Sequence, residues 1–177
     1  MALAVRLGRT HFHEVCTHLL RLSPDDRYLR FGYRIDDAAL VRYAHGIDAE
    51  RDALFGVADP ELELVAFAHL AIDADHGELG LSVLPGQRRR GLGRVLLDRA
   101  ATHARNQGLN TLFMQCLADN APMQRLARRA GMSVVTSAGE SEARLDLGEG
   151  QPGASVDGWM QDQLALADYA LRAHWLA

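Results

Sequence analysis

The sequence predicts an α+β fold: a mixed, mainly antiparallel sheet flanked by helices, with an extra helix at the carboxyl end. Three observations predict it. Residues 10–46 carry apolar positions at helical spacing, with helix-start signals at Thr10, Ser23 and Asp36. Residues 53–83 change texture to short apolar runs broken by turn residues, the pattern of an antiparallel meander. Beyond them a helix, a short apolar strand and a second helix follow. A strand–helix–strand order implies a right-handed crossover, so the strand at 111–116 should lie parallel to the one at 78–83.

Taken in order, residues 5–7 make a short first strand, and a helix capped by Thr10 runs through Phe12, Val15, Cys16, Leu19 and Leu20. Ser23 caps the next, with Pro24 in its first turn, two acids facing the positive dipole end, and Gly32 at its close. Asp36 caps a third, in which Ala39, Leu40, Tyr43 and Ala44 recur at helical spacing. Residues 53–58 and 62–72 are strands joined by Asp59-Pro60-Glu61, and residues 73–77 turn the chain into a strand at 78–83. After Pro85 and Gly86 comes a helix with Val95, Leu96, Leu97, Ala100, Ala101 and Ala104 inside, and Asp98, Arg99, His103 and Arg105 on the wet side. Gly108 stops it. Asn120 caps a helix with Pro122 in its first turn and Gly131 at its end. Residues 133–137 and 143–147 form a strand pair. Domain boundaries are expected at residues 1–150 for the main domain and 151–177 for a helical extension. The extension would pack on that domain or pair with a second subunit to make a homodimer.

With 177 residues, 48% hydrophobic and 24% charged, the chain can bury one sizeable core. A net charge of −4 argues against nucleic acid as a partner. No apolar run approaches the roughly 20 residues a bilayer requires. No basic leader followed by an apolar segment is visible, so a cytoplasmic location is the expectation. Cys16 and Cys116 show neither disulfide nor metal spacing, and His11, His13 and His18 lack acidic or cysteine partners at ligand spacing; no metal is expected.

The chemistry is concentrated at Arg88-Arg89-Arg90-Gly91-Leu92-Gly93, where a strand hands over to a helix. The opening turn of a helix offers unpaired N–H groups and the positive end of its dipole, and glycines let ligand oxygens approach the backbone. These residues read as a pyrophosphate cradle, or as a basic loop with no ligand.

In its element order this Arg-x-x-Gly-x-Gly turn resembles the acyl-CoA pyrophosphate loop of the GNAT superfamily of acetyl-CoA-dependent N-acetyltransferases, in its bacterial form. The likeness extends over roughly residues 3–147 and includes the segment 22–31 and the helix from Asn120 to Gly131-Met132. The resemblance implies acetyl-CoA as acyl donor and a primary amine as acceptor. Arg88, Arg89, Arg90, Gly91, Leu92, Gly93 and Arg94 would hold the pyrophosphate, and Leu81 and Val83 the pantetheine, with Asn120 across the channel. The strands at 78–83 and 111–116 would splay near Val83, whose amide would serve the oxyanion. Glu78 would be the base, acting through water on the face it shares with Gly80 and Ser82. Ala127 stands where many members carry a tyrosine that protonates the leaving thiolate; Ser82 is the substitute hydroxyl. That departure motivates an alternative, an acyl-CoA-binding regulatory module with little or no catalysis.

Several residues keep two readings. Cys116 is a nucleophile or a small buried hydrophobe. His69, expected across from Gly80, is a second base or a hydrogen-bonded strand histidine. Tyr28, Phe31 and Tyr33 form an acceptor-side wall or belong to the core. Asp48, Glu50 and Asp52 attract a cationic amine or make a solvated turn.

Overall fold

The computed structural model describes residues 2–148. One seven-stranded sheet organises them, in the order β1-β2-β3-β4-β5-β7-β6. The strands are β1 (Val5–Leu7), β2 (Ala53–Ala58), β3 (Leu64–Asp73), β4 (His76–Val83), β5 (Thr111–Leu117), β6 (Ser133–Ser137) and β7 (Glu140–Asp146). The α-helices are α1 (Phe12–Leu20), α2 (Pro24–Phe31), α3 (Asp37–Gly46), α4 (Leu92–Asn106) and α5 (Ala121–Arg129). The helical extension expected at 151–177 lies outside the described residues.

Local signals explain most boundaries. The Ser23 hydroxyl accepts the Asp26 amide, the Asp36 carboxylate accepts that of Ala39, and the Asn120 side chain accepts that of Met123, so each satisfies a donor the first helical turn leaves orphaned. Gly32 closes α2 at φ +78°, a conformation that a side chain would strain. Thr10 does not cap the first helix, because Arg9–His11 form a 3₁₀ turn and α1 begins at Phe12. Leu62 takes φ +64° and lengthens the β2–β3 turn, so β3 starts at Leu64.

β4 and β5 are parallel, as the crossover requires, but they pair only at His76↔Thr111, Gly77↔Leu112 and Glu78↔Phe113. Pairing thus ends at Glu78, five residues before Val83. β7 inserts between β5 and β6, pairing with β5 along its whole length, from Thr111↔Asp146 to Leu117↔Glu140. The hairpin at Ala138-Gly139 was legible; which of its strands would face β5 was not.

Leu79, Leu81, Leu96, Leu97, Ala100, Ala104, Phe55 and Ala68 belong to a core built between the sheet and α4, while Val15, Leu19, Phe67 and Leu40 fill the space under α1 and α3. Arg99 is not on the wet side of α4. It is 5% exposed, with its guanidinium 5.2 Å from the centre of the Phe55 ring.

Candidate active site

The parting of β4 from β5 leaves backbone groups facing an open edge. In the antiparallel β3–β4 ladder the Leu84 amide donates to Val65 at 3.0 Å, which makes Leu84, Ser82 and Gly80 the residues bonded to β3. By alternation the amides of Leu81 and Val83 turn toward β5, where no ladder meets them beyond Glu78↔Phe113. A crevice lined by Leu79, Gly80, Leu81, Met114, Cys116 and Met123 occupies the gap. It adjoins a cavity of about 910 Å³ between α2, the end of β4, the start of α4 and α5.

At one end of this cavity stands the amino terminus of α4. Gly91 is the cap, at φ +80° and without a side-chain acceptor, and the first amide bonded within the helix is that of Val95, to Gly91 at 3.1 Å. The amides of Leu92, Gly93 and Arg94 precede that first bond, and Gly91, Leu92, Gly93 and Arg94 all line the cavity. Gly93 is small for a packing reason: a Cβ there would come within 3.3 Å of Leu126 on α5. Leu22, Leu29, Leu81, Met123 and Leu126 give the cavity an apolar flank, and Arg89, Arg125 and Arg129 join Arg94 in a basic one. Arg125 and Arg129 were not picked out from the sequence; their i,i+4 spacing on the Asn120 helix was the available signal.

The expected residues divide into three groups. Leu81, Ser82, Val83, Arg88, Arg89, Gly91, Leu92, Gly93, Arg94 and Asn120 converge on the cavity. Arg88 and Asn120, however, already use their side chains to tie elements together. Arg88 pairs with Asp26 and donates to the Val83 carbonyl, whereas Asn120 caps α5 and reaches the Leu29 carbonyl at 3.4 Å. Arg90 turns aside to Gln87 at 2.8 Å and does not line the cavity. Glu78 lies exposed on β4, outside both hollows, on the face that carries Gly80. Ala127 is buried within α5.

Ser82 sits 2.8 Å from Nε2 of His18, while Nδ1 of that ring lies 3.0 Å from the Leu64 carbonyl. A carbonyl only accepts, so Nδ1 carries the ring proton and the Ser82 hydroxyl donates to Nε2. Its hydrogen is therefore directed at α1. Burial lowers the His18 pKa to about 4 despite the Leu64 bond, leaving a neutral, weakly basic ring.

His69 stands across from Gly80, as its expected register has it. Its Nε2 is 2.9 Å from the buried Asp52 carboxylate and its Nδ1 is 2.7 Å from the Tyr43 hydroxyl. Burial lowers the His69 pKa against the opposing pull of Asp52. Burial would raise the Asp52 carboxyl, but bonds from Arg51, His69 and the Ile72 amide outweigh it and hold that pKa low. Asp52 is thus neither a solvated acid nor free for a cationic ligand. Glu50 pairs with Arg9, and Asp48 accepts amides of its own turn. Tyr28 and Tyr33 are exposed and line neither hollow, and Phe31 packs edge-on against Tyr43 at 5.1 Å. Burial raises the Cys116 thiol, which keeps it protonated and a poor nucleophile. Among the described residues no three His, Cys, Asp or Glu side chains gather as metal ligands, and no helix is long and apolar enough to cross a membrane.

The sequence profile of the acetyltransferase (GNAT) family matches residues 16–132. The chain is 33% identical over 93 residues to streptothricin acetyltransferase of Streptomyces lavendulae, covering 51% of this chain and 49% of that protein. It is 39% identical over 82 residues to amino-acid acetyltransferase of Pseudomonas fluorescens (strain Pf0-1), covering 45% of this chain and 19% of that protein. The chain therefore spans about half the length of the first and about a fifth of the second. Among solved structures, the GNAT domain of S. lividans PAT superposes with a TM-score of 0.70 at 20% identity, over 82% of this chain and 90% of that one. The ribosomal-protein-S18-alanine N-acetyltransferase from Escherichia coli gives 0.64 at 20% identity, over 88% and 99%. At these identities the structural likeness is one of fold.

Proposed function

Because this chain belongs to the acetyltransferase (GNAT) family, we propose that it transfers an acetyl group from acetyl-CoA to a primary amine by direct attack at the β4–β5 gap. The observation that carries the proposal is the continuity of the uncapped α4 terminus, the apolar-flanked cavity and the open amide edge of Leu81 and Val83. A phosphate-bearing ligand with a long uncharged arm and a polar reacting end fits that succession. Bound acetyl-CoA supplies an activated acyl carbon and a thiolate leaving group. The amides of Leu92, Gly93 and Arg94 hold its pyrophosphate, aided by the α4 dipole and by Arg89, Arg125 and Arg129, while the Arg94 side chain is engaged by Asp98 and the Arg129 carbonyl. Arg88 and Asn120 act on the donor by fixing α2, β4 and α5 around it. Leu81 and Val83 offer backbone partners to the pantetheine, and the Val83 amide receives the oxyanion that develops at the carbonyl.

Glu78, through a water, takes the proton the amine nitrogen releases as its bond to the acyl carbon forms and the carbon–sulfur bond breaks. Solvent returns a proton to the departing thiolate. Thiol pKa values near ~8.5 make that a tolerable leaving group without the tyrosine that Ala127 replaces. Ser82 spends its hydrogen on His18 and keeps only acceptor capacity toward the cavity.

Thiol release from acetyl-CoA against a panel of amines, with Glu78→Gln beside wild type, tests the reading. Amine-dependent release, reduced about 10- to 1,000-fold in the variant and restored in part at high pH, is the expected result. Tight CoA binding with no release for any amine would replace the transferase by an acyl-CoA-binding module.

A further inference from the structure

Arg30 projects from α2 onto the face of β4 remote from α4. Its guanidinium lies against Gly80, so close that a Cβ at that position would overlap it. It lines both the large cavity and the crevice between β4 and β5. Arginine carries five N–H donors. Among the described residues one hydrogen bond engages them, from Nη2 to the Tyr43 hydroxyl at 3.2 Å, while Nε is buried without a partner.

The bond to Tyr43 ends a chain whose direction is fixed. The Asp52 carboxylate accepts from Nε2–H of His69 at 2.9 Å, which leaves Nδ1 as an acceptor. The Tyr43 hydroxyl donates to that Nδ1 at 2.7 Å, so its oxygen is what Arg30 meets. The one carboxylate in the chain is two residues removed from Arg30, and its charge is shared with Arg51 at 2.8 Å and with the Ile72 amide at 3.2 Å. The chain holds the guanidinium in place without neutralising it. A stiffly held cation with unspent donors, beside the gap where β4 and β5 part, is built to receive an anion.

A second charge lies next to it. Glu78 occupies the same strand face two residues away, about 7 Å along β4, with an exposed carboxylate that no hydrogen bond or ion pair engages among the described residues. We propose that Glu78 and Arg30 together select a zwitterionic acceptor, a small primary amine bearing a carboxylate on the same or an adjoining carbon. The carboxylate goes to Arg30 and the amine to Glu78. The proposal rests on acetyl transfer at this site and narrows its acceptor. Polyamines and other multiply cationic amines meet a like charge at Arg30 and are disfavoured.

The test compares free amino acids with their own C-terminal amides, which keep the amine and lose the carboxylate. The amide's amine is the weaker base and more of it is unprotonated, so intrinsic reactivity works against the expected result. Wild type should show, for at least one amino acid, a kcat/KM about 30-fold or more above that of its amide. Arg30→Gln should bring that ratio to within about threefold of unity with the KM for acetyl-CoA within about twofold, and Arg30→Lys should keep part of it. Tyr43→Phe removes the hydrogen bond to Arg30 and leaves it only the Phe31 ring, 5.0 Å from its guanidinium carbon, so it should lower the ratio by an intermediate factor.

Equal rates for acid and amide in wild type would overturn the proposal. So would an Arg30→Gln variant whose defect is confined to acetyl-CoA, because Arg30 would then serve the donor. Should no amine be acetylated at all, the transferase reading fails separately. Calorimetric titration of amino acid and amide into CoA-saturated protein then decides: acid-selective binding sustains the Arg30 assignment, and equal or absent binding ends it.

Discussion

Arg88 and Asp26 form an ion pair that joins the turn before α4 to helix α2, across the mouth of the cavity. The Nε of Arg88 also donates to the Val83 carbonyl at 3.2 Å, so one side chain fastens the end of β4 to both elements. The first position of the Arg-x-x-Gly-x-Gly turn therefore acts as a brace. Asp26→Asn and Arg88→Ala should both raise the KM for acetyl-CoA by a few-fold with little change in kcat. Each should cost about 0.5–1 kcal/mol, or a few degrees in Tm, because the pair is partly exposed. Steady-state kinetics on the two variants checks this. A direct phosphate contact would leave Asp26→Asn harmless.

Gly91 has open space where a Cβ would stand, so its requirement is its backbone, at φ +80°. Gly91→Ala should cost roughly 1–2 kcal/mol. It should also weaken CoA binding about tenfold by tilting the amides of Leu92 and Gly93. Thermal unfolding and CoA titration measure the two effects on the same sample.

Arg125 and Arg129 lie one helical turn apart on α5, and both line the cavity. Alanine at either should raise the Kd for acetyl-CoA about three- to tenfold at low salt. The penalty should shrink above roughly 0.15 M, where the Debye length falls to about 8 Å. Titrations at two ionic strengths give the comparison.

His18 stays neutral in the folded protein down to about pH 4 because burial opposes its charging, with Arg21 and Arg30 adding to that resistance. In the unfolded chain it takes up a proton near pH 6.5. Unfolding therefore binds a proton between these values: the contribution is whole above pH 6.5 and declines as pH falls toward 4, by on the order of 3 kcal/mol. His69, also lowered, acts in the same direction. Denaturant unfolding of wild type and His18→Gln across pH 4–7 should show a shallower slope in the variant.

What the sequence disclosed was local. Ser23, Asp36, Asn120 and Gly32 sit where their side chains or dihedrals satisfy helix ends, and such signals span only a few residues. The strand-to-helix glycine turn is of the same kind, and alternation in the meander put His69 opposite Gly80. Contacts between distant segments stayed hidden. Nothing near Arg30 announces that Tyr43 will hold it, nor does the run 48–52 reveal that Asp52 alone of its acids is buried. Arg99 carried a charge that the helical pattern assigned to water, whereas the Phe55 ring supplies its stacking partner. The early splay of β4 from β5 follows from three paired residues and no more, a matter of register that composition does not encode.

A crystal structure with CoA bound tests the central claim most directly. The account predicts pyrophosphate oxygens within hydrogen-bonding distance, about 2.7–3.2 Å, of the amides of Leu92, Gly93 and Arg94, with the thiol directed at the open edge of Leu81 and Val83. A pyrophosphate seated elsewhere, or a thiol directed away from the β4–β5 gap, would contradict it.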